Sequence, residues 1–370
     1  MNVLIAPNNY KNSISASNAA LAIESGLRSV AKRINTIHAP LSDGGEGFVD
    51  ALVNAMSGSI INCNVRDPLG RIIDSYYGSL NAETAVIEMA LASGLERLTE
   101  NEKNLWITTT YGTGELILNA IRRGYKQLLI GIGGSATNDV GLGMLIAVGA
   151  EFFNSLNQPI ELGNAQSLSQ VSRIEKNKIE SLFKDISLTV ACDVTNPLFG
   201  PQGATCVYGP QKGANQELVK KIESGVRHFH KKTRDYLGVD HSQTPGSGAA
   251  GGLGYASMTY LNAQMRPGFD IVADSISLVT KIQWADLIIT GEGKVDSQTK
   301  QGKVISRLAK LSKEHHKRLI VIGGLIEENL QIDGVRDYFS IRSCATDNHD
   351  SMLNAGRYLF DIGSKIARRL

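Results

Sequence analysis

The segment Gln127–Met144 (QLLIGIGGSATNDVGLGM) carries the densest run of chemically useful residues in the chain. An apolar stretch, Leu128–Ile130, opens into Gly131, Gly133 and Gly134. Ser135, Thr137, Asn138 and Asp139 follow, with Gly141 and Gly143 at the foot of an expected helix. Glycines at a strand-to-helix junction permit left-handed backbone and let N–H groups converge on one point. A helix N-terminus beside them adds roughly half a positive charge, which suits a phosphate. Amides of Gly133 and Gly134, with Ser135, Thr137 and Asn138, are therefore expected to cradle phosphate oxygens. Asp139 would repel a bare phosphate but could hold Mg²⁺ against one.

Two other readings compete for the same residues. Tight βα turns also use glycine, but they usually take about 2–6 residues rather than glycines interleaved with hydroxyls and a carboxylate. A dinucleotide fingerprint is the second, since Gly131-Ile-Gly133-Gly-Ser-Ala136 fits G-x-G-x-x-G/A. That fingerprint needs an acid about 20 residues on, at the end of the next strand. Glu151 lies near that distance but begins the stretch EFF instead of ending it. A metal–phosphate site is the better match.

Four further loops combine glycine or amide side chains with acid or base just after an apolar run: Asn8–Lys11, Ser42–Gly47, Cys192–Pro197 and Thr290–Asp296. Together with Gly131–Gly143 they point to strand ends converging on a polyanionic ligand and its metal. Thr290-Gly-Glu-Gly-Lys-Val-Asp296 supplies Glu292 and Asp296 for Mg²⁺ or a hydroxyl proton, and Lys294 for phosphate charge; taken alone it reads equally as a solvated turn. Phosphoryl transfer asks for little more than positioned donors, a divalent cation on one or two carboxylates, cations, and a carboxylate near the attacking hydroxyl.

Other chemistries lack their signatures. No G-x-x-x-x-G-K-[ST], HRD, DFG or G-x-S-x-G occurs, which excludes P-loop, protein-kinase and α/β-hydrolase readings. His228 and His230 sit at i, i+2 on an expected helix and read as solvated surface, and no zinc-ligand spacing is present.

The elements that must position these loops follow from the apolar pattern. Asn2–Ala6, a helix capped by Ser17, Ile34–Ala39 and a helix after Gly47 form a βαβα start, hence a parallel sheet with functional loops at its carboxyl ends. Ile60–Val65 and Ile72–Ser79 flank the turn Asp67–Gly70 as a hairpin, with another strand at Thr84–Glu88. Helices are expected at Gly114–Arg123, from Asn215 to about Leu237, and at Tyr255–Ala263 after the glycine cluster 245–254. From Asp286 the α/β alternation resumes. The expected fold is α/β: a doubly wound domain built from residues 1–65 and 285–370, with a mixed α/β domain, 66–284, inserted between them.

A length of 370 residues suits two domains, and 38 basic against 36 acidic residues give no case for nucleic acid or an anionic membrane as partner. Cys63, Cys192, Cys206 and Cys344 are scattered and read as buried thiols in a reducing compartment. The start MNVLIAPNNYK lacks a basic n-region, and no run approaches the ~20 apolar residues of a membrane span. A soluble cytoplasmic protein is expected, with its oligomeric state, a homo-oligomer included, left open.

At these loops the sequence resembles the bacterial class I glycerate kinase family. The resemblance is carried by APNNYKNSISA at 6–16, DGGEG at 43–47, GTGELI at 112–117, GIGGSATND at 131–139 and ACDVTNPL at 191–198. GPQKGA at 209–214, GAAGG at 248–252 and ITGEGKVDSQT at 289–299 continue it in the family's order. The resemblance implies a discontinuous flavodoxin-like domain with an inserted domain, and ATP, Mg²⁺ and D-glycerate meeting in a cleft between two domains. The usual product is 2-phosphoglycerate. A 3-phosphoglycerate-forming kinase, or a non-catalytic nucleotide or sugar-acid sensor keeping the fold, are the alternatives.

Asn8 and Asn9 stand where the family pattern has aspartate and serine, Lys294 where it has arginine, and Val140 where it has glycine. The proton acceptor for the glycerate hydroxyl is accordingly assigned to Asp193 or Asp43. Lys11, Lys212 and Lys294 would neutralise phosphate or the substrate carboxylate. Asn8, Gly44, Gly45, Gly291 and Gly293 join the binding set, and Asp139, Glu292 and Asp296 are the candidate metal ligands.

Overall fold

Apolar runs bounded by proline, glycine or asparagine become short strands. The computed structural model describes residues 1–300 and 303–370. In chain order its strands are β1 (Asn2–Ile5), β2 (Asn35–His38), β3 (Ser59–Arg66), β4 (Ile72–Ser79), β5 (Thr84–Glu88), β6 (Gln127–Gly131) and β7 (Glu151–Phe153). There follow β8 (Arg173–Glu175), β9 (Ser187–Ala191), β10 (Gln264–Arg266), β11 (Leu287–Val295), β12 (Arg318–Ile326) and β13 (Asp337–Ser340). They divide between two units, Met1–Ser57 with Phe269–Leu370, and Gly58–Gly268.

The first unit is a fully parallel sheet in the order β13-β12-β11-β1-β2. Counted along the unit, this is the 2-1-3-4-5 order of flavodoxin-like doubly wound sheets, whose ligand crevice lies beyond the carboxyl ends where the order reverses. Here that point falls between β1 and β11. Val3, Ile5, Leu287, Ile289, Ile320 and Ile322 pack on the helices Ala16–Val30 and Ala355–Ala367. By strand alternation Leu4, Ile288, Leu319 and Val321 point to the other face and are fully buried there. The two covering helices bring the chain ends together at glycines. A Cβ on Gly26 would lie 2.0 Å from the Phe360 carbonyl oxygen, so no larger residue fits the crossing. Ser15, not Ser17, caps the first helix: its hydroxyl accepts from the Asn18 amide, and the cap falls two residues earlier than expected.

The second unit holds the order β10-β9-β6-β5-β4-β3, parallel from β10 to β5 and antiparallel beyond, plus a β7-β8 ribbon. β3 pairs with β4 along its whole length, Ser59 opposite Ser79 and Arg66 opposite Ile72. That pairing places residues 58–65 in this unit, and the division falls at 57/58 and 268/269 where 65/66 and 284/285 were expected.

The helix expected from Gly114 begins at Tyr111, and the one expected from Tyr255 begins at Ala249. In the latter, Ala250, Gly251 and Gly252 take left-handed φ values, so the uninterrupted helix runs only from Leu253, close to the expected start, with the glycine cluster forming a kink before it. His230 is not solvated. It falls on the buried stripe Ile222, Val226, Phe229, Thr233 of the helix Gln216–Leu237 and bonds the Asp240 carboxylate at 3.0 Å. That contact and the Ser242 donors hold the Asp240 carboxyl down at about 2, against the opposing effect of burial. Of the thiols expected to be buried, Cys344 is exposed in the turn after β13 and the other three are half-buried. Among the described residues no helix is long and apolar enough to cross a membrane.

Candidate functional site

The candidate residues fall into two sets, one in each unit. In the first unit, the loops after β1 and β2 and the carboxyl end of β11 line a cavity of about 520 Å³, placing Asn8, Lys11, Asp43, Glu292, Lys294 and Asp296 around one space. Gly293 lines it too. Its position is the one the sheet order dictates, at the reversal between β1 and β11.

Local hydrogen bonds shape each loop. Asn8 donates its backbone N–H to the Gly291 carbonyl at 2.8 Å, while its Oδ1 accepts from the Asn9 amide. Asn9 is a clamp: Oδ1 accepts from the Ala16 amide at 2.7 Å and Nδ2 donates to the Glu46 carbonyl at 2.7 Å. It thereby ties the loop after β1 to the first turn of the following helix and to the DGGEG loop. In that loop Ser42 Oγ accepts from the Gly44 amide and Asp43 Oδ1 from the Gly45 amide, both at 3.2 Å. Those amides, expected to serve a ligand, hold the turn. Gly291 is also placed differently from expectation. It is a buried strand residue, and a Cβ there would lie 2.2 Å from the Tyr10 hydroxyl. Its lack of a side chain admits Tyr10, whose hydroxyl donates to the Ile322 carbonyl at 2.7 Å. Burial and the nearby Glu292 push that phenol well above its ordinary range.

Glu292 is a buried acid of this cavity. Only 9% exposed, it has its carboxyl raised by burial, with the negative charges of Asp43 and Asp296 adding to the effect. A hydrogen bond from Thr299 Oγ1 at 2.9 Å and the charge of Lys303 oppose the rise. Lys294 lies 3.0 Å from Asp296. Acids crowded into one cavity are what a divalent cation relieves, and Mg²⁺ typically takes one or two carboxylates plus substrate phosphate oxygens. Glu292 and Asp296 fit that pattern. Among the described residues no three acidic, histidine or cysteine side chains stand ready to hold a metal without a ligand's help.

In the second unit the loop after β6 is organised around Asp139. Its Oδ2 accepts from the Thr110 amide at 2.8 Å, the Thr110 hydroxyl at 2.7 Å and the Gly143 amide at 3.2 Å; Oδ1 accepts from the Gly141 amide at 3.1 Å. The residue is wholly buried, and burial raises its carboxyl against these four donors. Its lone pairs are spent on the loop itself, so the expectation of Asp139 as a metal ligand gives way to a structural one. The helix after it is short, Leu142–Ala147, and its first amides are taken by Asp139 and by Thr110 Oγ1, which accepts from the Met144 amide at 2.9 Å. The dipole invoked from sequence is capped internally.

What remains open to a ligand is the first half of the loop. Gly133 is half-buried and Gly134 exposed. Ser135 Oγ accepts from Lys212 Nζ at 2.7 Å, and the Thr137 carbonyl accepts from the same ammonium at 2.8 Å. Lys212 is 3% exposed, and burial brings its amine down to about 7, with Asp139 pulling the other way. Among the described residues Thr137 Oγ1 and Asn138 Oδ1 are buried without a hydrogen-bond partner, although Asn138 Nδ2 donates to Thr205 Oγ1 at 3.0 Å. Buried polar atoms left unpaired cost about 1–3 kcal/mol each, so two of them in one loop mark a place for a ligand or water. Asp193, after β9, is exposed, and its Oδ1 accepts from the Gly268 amide at 3.1 Å. Sequence reasoning missed Thr110, which acts on Asp139 from 29 residues away, and Thr299 and Lys303, which act on Glu292 from beyond the glycine-bearing part of its loop.

The chain matches the sequence model of the Glycerate kinase family over residues 3–370. It is 42% identical over 363 residues to a glycerate kinase of Bacillus subtilis, covering 97% of this chain and 95% of that one. It is 40% identical over 345 residues to glycerate 2-kinase of Escherichia coli, covering 92% and 90%. A crystal structure of glycerate kinase 2 from Salmonella typhimurium LT2 superposes with a TM-score of 0.88 at 39% identity, covering 100% of this chain and 98% of that one.

Proposed function

The chain belongs to the glycerate kinase family, and on that premise we propose that it transfers the terminal phosphoryl group of ATP to the 2-hydroxyl of D-glycerate. The observation that carries this reading is the first unit's cavity, where Asp43, Glu292 and Asp296 share one space with Lys11 and Lys294 at the reversal of a doubly wound sheet.

In this reading Asp43 accepts the hydroxyl proton as the oxygen attacks. It is preferred to Asp193 because it lines the cavity beside Glu292, whereas Asp193 stands exposed after β9. Glu292 and Asp296 would hold Mg²⁺, which when bound supplies charge neutralisation at the phosphate oxygens. In the second unit the Gly133 and Gly134 amides, Ser135 and Lys212 would contact phosphate oxygens, with Thr137 and Asn138 behind them. A phosphate placed near Lys212 restores the ammonium to its charged form, so the cation is drawn out by the anion it serves.

A coupled assay for ADP release tests the reading. Release that depends on both ATP and D-glycerate is expected. Nucleotide binding with no release would leave a sensor, and neither binding nor release would remove the proposal.

A further inference from the structure

We propose that Arg342, together with Lys11, forms the anion-recognition end of the first unit's cavity and binds the carboxylate of the hydroxy-acid substrate. This rests on the phosphotransferase reading above and names the group that selects its acceptor.

Among the described residues four cations line the cavity: Lys11, Lys294, Lys303 and Arg342. Lys294 is paired with Asp296 at 3.0 Å, and Lys303 lies in the field of Glu292. Among the described residues neither Lys11 nor Arg342 makes an ion pair. Arg342 is nevertheless held in place. Its backbone N–H donates to the Gly324 carbonyl at 2.9 Å, Nε donates to Asn348 Oδ1 at 3.0 Å, and Nη1 donates to the Ala345 carbonyl at 3.0 Å. A guanidinium has five N–H donors, so three remain. A half-buried, fixed guanidinium with spare donors and no counter-ion is the arrangement that takes a carboxylate or phosphate as a fork.

Arg342 follows β13 and Asp43 follows β2, and both reach the same cavity. A small hydroxy acid whose hydroxyl approaches the acids presents its carboxylate toward the cations. The charge is the shared chemistry, and a nucleotide phosphate is its other source.

Steady-state kinetics and calorimetry on the whole chain separate these sources. For Arg342→Met the KM for D-glycerate should rise by about 30-fold or more, with KM for ATP within about twofold, and Arg342→Lys should recover part of the loss. The uncharged analogue glyceramide should be handled alike by both proteins, so the preference for glycerate over glyceramide should fall by the same factor. A rise confined to KM for ATP, or an unchanged glycerate preference, overturns the proposal while leaving the kinase reading intact. If the unaltered protein shows no turnover, calorimetric binding of D-glycerate that weakens at least about tenfold in Arg342→Met still supports it. Absence of both turnover and glycerate binding overturns it along with the kinase reading.

Discussion

The cavity of the first unit and the glycine-rich loop of the second use the same residue types for opposite ends. Around Asp139 the polar groups are turned inward: a carboxylate, three backbone amides and a threonine hydroxyl satisfy one another in a fully buried knot. Around Glu292 the charges are left partly uncompensated: burial and the charges of Asp43 and Asp296 raise its carboxyl, and among the described residues Lys11 and Arg342, which line the same space, make no ion pair. A motif dense in glycine and acid is therefore no guide to which groups meet a ligand. What distinguishes the two regions is whether the donors and acceptors balance internally.

The contrast breaks most sharply under carboxylate-to-amide exchange. Asp43→Asn should lower kcat by about 10²–10⁴-fold, the range for losing a general base, with the urea midpoint unchanged. Asp193→Asn should leave kcat within a few-fold. Equal losses in the two variants would show that the acceptor assignment is wrong. Asp139→Asn should do the reverse of Asp43→Asn, costing about 3 kcal/mol of stability because an amide nitrogen is turned toward buried donors, measured as a shift in urea midpoint.

Lys212 gives a pH-dependent version of the same comparison. Its folded pKa, about 7, lies below the ordinary 10.5. Between those values the unfolded chain holds more protons than the folded one, so stability should rise with pH across that window. Below about pH 7 both states are charged and the whole cost of the buried ammonium is present. Urea midpoints at pH 7 and pH 9.5 should rise for the unaltered protein and stay level for Lys212→Met. The smallest expected effect is at the Asn9 clamp. Asn9→Ala strands the Ala16 amide and should cost about 1–2 kcal/mol by thermal or urea unfolding, with a KM rise larger than the fall in kcat.

Much of the fold is legible in the sequence because it follows short-range pattern. β4 and β5 lie where alternation and apolar runs put them, Ile72–Ser79 and Thr84–Glu88. Boundaries were less legible because they depend on partners: residues 58–65 join the second unit through pairing with β4, which no local pattern announces. At the site, Asp43, Glu292 and Asp296 lie in glycine-bearing segments at strand ends, Asn8 and Lys11 in an amide-rich loop, and all five line one cavity. Asp139 accepts from backbone N–H groups, including that of Thr110, and such partners have no sequence signature. Gly291 looked like a ligand loop but makes room for Tyr10, and Arg342 follows a half-buried strand with no glycine beside it.

The central claim is phosphoryl transfer onto the secondary hydroxyl of a three-carbon acid. Proton-coupled ³¹P NMR of the product formed from ATP and D-glycerate tests it most directly. A phosphomonoester signal split into a doublet by the single proton on C2 is expected. A triplet from the two protons of C3, or inorganic phosphate in place of an ester, would contradict it.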